Sequence, residues 1–247
     1  MNQNQLFDKD FEAPTDLFAI AAAADERAGF IMKTYLYVLG AIAAFIAIEI
    51  CLFAAVGGTE NMWKIVGPIF VSSKFSWLIV LGAFMVVSHI AGIWASSDTN
   101  PMMQHVGLGV YVIANAIIFI PLLCFAYKFG GGTSTIISAA TATAGLFAML
   151  TLAVFITRKD FSFMRAALNF GGLAAFGFII TAIVFQFTLG PIFAYAIIAL
   201  MCGYILYHTS NILHHYRIGQ HPAAALALFA SVMTLFWWIL QLFMSRE

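Results

Sequence analysis

The chain has 247 residues, 63% of them hydrophobic and 9% charged, with a mean hydropathy of +0.96 and a formal net charge of zero. A soluble domain carries about 25% charged residues, so the composition excludes an ordinary water-soluble fold and makes the bilayer the main solvent. Zero net charge argues against nucleic acid as a partner. Cys51, Cys124 and Cys202 all sit in apolar runs, which reads as buried packing and not as a disulfide framework or zinc cluster.

Residues 1–33 read as an acidic N-terminal tail, with six acids against three bases. No basic stretch precedes an apolar core there, so a signal peptide is not expected. The run "TDLFAIAAAADERAGF" has the makings of a short helix capped by Thr15 or Asp16. It reads either as a solvated tail or as a docking segment for a partner.

Residues 34–247 form the membrane domain. A spanning helix needs about 20 mostly apolar residues, and seven such segments follow in order, near 34–56, 75–96, 105–127, 134–157, 166–188, 191–216 and 222–244. The fold class is therefore an all-α integral membrane bundle of seven transmembrane helices. Trp77 and Trp94 bracket the second span as interfacial anchors. Gly130, Gly131 and Gly132 link the third and fourth, and Pro191 and Pro222 stand at first-turn positions, where a missing N–H costs nothing. With the N-terminus in the cytoplasm, the inner segments hold Lys9, Arg27, Lys33, Arg158, Lys159, Arg165 and Arg217. The outer ones hold Lys64, Lys74, Lys128 and Arg246. Seven inner cations against four outer ones predict an N-in, C-out topology in the plasma (inner) membrane.

Ionisable groups inside spans are expensive and default to functional candidates. Glu49 is the one acid well inside a span, His89 lies near the inner end of the second, and His208 lies in the sixth. Glu49 must pair, protonate or face a wet cavity. Asn115, Gln186, Ser231 and Gln241 add neutral polarity, for which an interhelical hydrogen bond is the ordinary role. Taking Gly219 as the turn of the last hairpin, His208 and Ser231 are each about 11 residues away and so about 12–17 Å deep. They are expected to face one another in the inner half of the bilayer, with His208 neutral at pH 7. His208, Thr209 and Asn211 are assigned to the bundle, with Ser210 turned off the His208 face. His214, His215, Arg217 and His221 are assigned to a solvated inner turn. The candidate functional set is thus His208, Ser231, Glu49 and His89.

Three tracts resemble a known family: "ITRKDFSFMRAALNFGG" (156–172), "YILYHTSNILHH" (204–215) and "ALALFASVMTLFWWILQLF" (225–243). In this order they look like the Bax inhibitor-1, or transmembrane Bax inhibitor motif, proteins. "TRKDFSF" and the run at 208–212, with "MKTYLYVLGA" (32–41), resemble the bacterial YccA branch. The resemblance implies six helices around a central one. Calcium-conducting members carry an acidic pair in the sixth and last spans; here His208 and Ser231 stand at those positions, and the arginine that latches the pair has no counterpart in "GIWASSDTNP". Two carboxylates can share a proton and titrate over a wide range, which a histidine beside a hydroxyl cannot reproduce.

Three functional readings follow. YccA-like members associate with the membrane-bound AAA protease FtsH, which implies a non-enzymatic modulator of membrane-protein quality control. The alternative is a pH-sensitive leak for a cation, calcium or proton, at an altered site. An intramembrane zinc hydrolase fits poorly, because His208, His214 and His215 are offset by six and seven residues and not by four. Catalytic, metal and cofactor sites are accordingly not expected, and a retinal Schiff base lacks its lysine in the last span. A continuous polar path past Glu49 and His208 distinguishes a leak from a regulator.

Overall fold

The structure, a computed structural model, describes residue 18 and residues 23–72, 76–97 and 100–245, with the backbone alone for 69–72 and 77. Among these, eight α-helices occur: α1 (Ala24–Ala55), α2 (Thr59–Ser72), α3 (Ser76–Ala95), α4 (Pro101–Phe129), α5 (Thr133–Thr157), α6 (Arg165–Phe185), α7 (Pro191–His214) and α8 (His221–Met244). Seven of them are long and apolar enough to cross a bilayer. The Thr15 or Asp16 cap, Arg246 and the Trp77 ring lie outside the described residues.

The expected spans hold to within a few residues except at the first. α1 begins at Ala24, ten residues ahead of the expected start. Asp25 and Glu26 occupy its first turn, where the helix dipole favours acids, and Phe30 on the second turn is buried. Thirty-two residues at 1.5 Å each give about 48 Å, against a hydrocarbon core of about 30 Å. Part of α1 therefore stands beyond the bilayer. α4 also begins early, because Asn100 accepts hydrogen bonds from Met102 N (3.0 Å) and Met103 N (3.4 Å) ahead of Pro101.

α2 has no counterpart among the expected spans. Its 14 residues are too few to cross. Met62 and Val66, one turn apart, bury themselves against Cys124 of α4 and the end of α1, while Lys64 and Ile65 face outward. The helix therefore lies across one end of the bundle, where Lys128 pairs with Glu60 at 2.8 Å and passes over the Trp63 ring.

The last helix is the central one. Leu228, Phe229, Leu235 and Leu240 of α8 are fully buried, and α1, α4, α5 and α7 pack around it. α6 stands outermost, leaning on α7 and on the 3-10 turn Ser162–Met164 that precedes it. α3 and α4 approach closely at Gly107. A side chain on Gly107 would collide with the backbone of Ala91 and Ala95, so only glycine permits this approach. The α7–α8 turn is made at Gly219, with φ +105°.

Candidate functional site

The four singled-out side chains make no hydrogen bond or ring contact with one another among the described residues. Glu49 lies six residues before the end of α1, about 9 Å from that end. Both its oxygens are shielded from solvent and neither has a hydrogen-bond partner. It reaches the neighbourhood of Cys124, near the α2 end of the bundle. His89 is exposed on α3. Ser231 is buried, but its hydroxyl donates to Ala227 O of its own helix at 3.0 Å.

No hydrogen bond joins His208 to Ser231. α7 turns Ile205, Thr209 and Ile212 into the core, all fully buried. His208 stands at the margin of that strip, stacked on Tyr204 one turn earlier (5.8 Å, 17°) and edge-on to Tyr207 (5.2 Å). Tyr204 in turn donates its hydroxyl to Leu168 O of α6 at 2.9 Å. The aromatic ladder thus leads to α6. His208 Nδ1 is shielded and has no partner.

Ser210 is the residue that wheel geometry undervalued. It is fully buried, and its hydroxyl joins the two tracts "TRKDFSF" and "HTSNI". Phe161 N–H donates to Ser210 Oγ at 2.9 Å, and Ser210 O–H reaches Lys159 O and Asp160 Oδ1, each at 3.4 Å. Asp160 then accepts from Ser162 N at 2.8 Å and from His215 Nε2 at 3.0 Å. The Ser162 amide, foremost among these partners, holds the Asp160 carboxyl below the usual carboxylate range. His214 donates from Nδ1 to Ser210 O at 2.9 Å. So "TSNILHH" ends as a clasp on the α5–α6 turn. Beside it, burial pushes the Tyr216 phenol up to about 12.

The solvated-turn assignment also changes at His221. It opens α8 with its ring packed against Phe30 and Tyr37, and its Nδ1 is shielded without a partner. Tyr37 and His105 lie 2.6 Å apart alongside, tying α1 to the start of α4. Phe18, ahead of α1, pairs with Arg217 in the α7–α8 turn. The start of α1, the α5–α6 turn and the α7–α8 turn therefore share one end of the molecule.

A second polar grouping was dispersed in the sequence. Asn115, Gln186 and Gln241, read singly as interhelical hydrogen-bonders, line one cavity of about 670 Å³ between α3, α4, α6 and α8. Asn115 is buried and spends one N–H on Tyr111 O of its own helix at 3.0 Å. Among the described residues no Asp, Glu, Lys, Arg or His lines that cavity. Helical periodicity does not reveal it, because its wall is assembled from four helices.

Comparison with known proteins places this geometry. Residues 27–247 match the family model described as "Inhibitor of apoptosis-promoting Bax1". Protein LIFEGUARD 4 of Arabidopsis thaliana is 26% identical over 234 residues, covering 90% of this chain and 86% of the relative. The match spans all seven long apolar helices and the clasp that joins two of the recognised tracts, and the chain belongs to the Bax1-I (Bax inhibitor-1) family of multi-pass membrane proteins.

Proposed function

We propose that the chain is a non-enzymatic modulator of membrane-protein quality control that associates with a membrane-bound AAA protease of the FtsH type. The observation that carries this reading is the clasp. The two tracts that resemble the YccA branch are hydrogen-bonded to each other through Ser210 and Asp160, at the end where α1 begins. That end brings together the start of α1 and the turns bearing Arg158, Lys159 and Arg217, giving one face for a partner outside the bilayer. In the N-in topology, with the protein in the plasma membrane, this face is cytoplasmic. The neutral lining of the cavity between α3, α4, α6 and α8, and the lack of contact between Glu49 and His208, support a regulator over a conduit.

Co-purification in mild detergent tests the reading. The protein should retain FtsH from its own host, and Ser210→Ala should weaken retention several-fold. Failure of the parent protein to retain FtsH removes the proposal. A cation leak is the second reading, favoured by the unpartnered Glu49 carboxyl inside a span.

A further inference from the structure

We infer that the cavity between α3, α4, α6 and α8 is a binding site for an uncharged membrane lipid whose head carries hydroxyl or carbonyl groups, of the diacylglycerol type. Its volume of about 670 Å³ falls in the range of small-molecule sites, about 300–1,000 Å³. The walls are rich in aromatic and aliphatic side chains, including Phe84, Phe119 and Trp238. Polar atoms occur at two depths. Asn115 and Thr234 lie near mid-helix, whereas Gln186 and Gln241 lie at the helix ends. Such an alternation suits an amphiphile and not a plain hydrocarbon.

Charge decides the class of occupant. A cation entering the cavity would meet no carboxylate, and a phosphate no lysine, arginine or histidine, among the described lining residues. Moving an unpaired ion into such a site is strongly unfavourable. An uncharged head avoids that cost and can exchange hydrogen bonds with the Asn115 and glutamine amides. The access route decides the source. α3 and α6 flank the cavity without packing on each other, and both present large apolar side chains outward: Ile79 and Val86 on α3, Phe178 and Phe185 on α6. A ligand passing between these two helices would therefore come from the bilayer.

Backbone geometry at the mouth agrees. Gln186 ends α6 in the left-handed region, φ 59°, where glycine or asparagine is the usual residue. A glutamine is thus held at the cavity wall at some cost in backbone strain.

The test uses the full chain in vesicles containing either of two photoactivatable lipids with identical acyl chains, a diacylglycerol or a phosphatidylglycerol, with labelled residues mapped by mass spectrometry. The diacylglycerol should label the cavity-lining segments of α3 and α6 at least about five-fold more than phosphatidylglycerol does. Ala182→Phe, which fills the cavity from α6, should abolish that excess and leave labelling of the exposed Phe170 and Leu173 unchanged. If Ala182→Phe does not fold, Leu81→Trp narrows the cavity from α3 and carries the same expectation. Equal labelling by the two probes, or an excess that survives the filling variant, would overturn the inference.

Discussion

Asp160 and Glu49 are carboxylic acids in opposite circumstances. Asp160 lies in a turn between helices, half-exposed, and accepts hydrogen bonds from a backbone amide, an imidazole and the Ser210 hydroxyl. Glu49 lies inside α1, buried, and accepts none. Burial drew attention to Glu49, while the organising work falls to Asp160. The cost of a buried polar atom measures what is missing around it. The value of a polar residue is set by what it holds together.

The largest effect that sharpens this contrast belongs to Glu49→Leu. It removes two shielded oxygens without partners and should raise stability by about 1–3 kcal/mol, whereas Glu49→Gln, which keeps polar atoms there, should change it far less. Reversible unfolding in detergent checks both, and a loss in Glu49→Leu would mean that the carboxyl has a partner after all. Ser210→Ala should cost about 1–2 kcal/mol in the same measurement, since it strips the Phe161 amide of its acceptor and cuts the link to Asp160. If Ser210→Ala is neutral, the clasp does not hold the two tracts.

Asp160→Asn should cost less, about 1 kcal/mol, because the group is half-exposed and solvent screens its contacts. Its pH dependence has a definite sign. The folded-state value lies below the ordinary carboxylate range. The contribution is therefore complete above that range and is lost as pH falls through the lowered value. Stability of the parent should decline below about pH 4 more steeply than that of Asp160→Asn; parallel profiles would remove the linkage. The smallest effect is expected from Lys128→Gln. It breaks an ion pair with Glu60, whose side chain is 70% exposed, and should cost no more than about 1 kcal/mol.

Much of the architecture was legible because bilayer thickness imposes a length on each helix. The last five spans were read to within a few residues from apolar length, Pro191, Pro222 and the glycine link. α2 escaped that test because it does not cross, and the early start of α1 escaped it because its first turns are polar. The family resemblance implied six helices around a central one, and the structure shows that the central one is α8.

The site was less legible. Facing of His208 and Ser231 was argued from depth alone, and depth does not fix the rotation of a helix about its axis. Tyr204 shows the rotation, since its hydroxyl reaches α6. Ser210 was set aside for pointing away from His208, yet that direction carries it to the Asp160 turn. Asn115, Gln186 and Gln241 were noticed singly, and only the assembled bundle brings them to one wall.

Cation flux from proteoliposomes tests the account most directly, because a regulator in which no contact links Glu49 to His208 offers no continuous polar path for an ion. Calcium efflux should remain at the level of protein-free vesicles from roughly pH 5 to 8, the range over which histidine switches would act. Efflux that changes with pH in that window and is suppressed by Glu49→Gln would contradict the account and establish the leak.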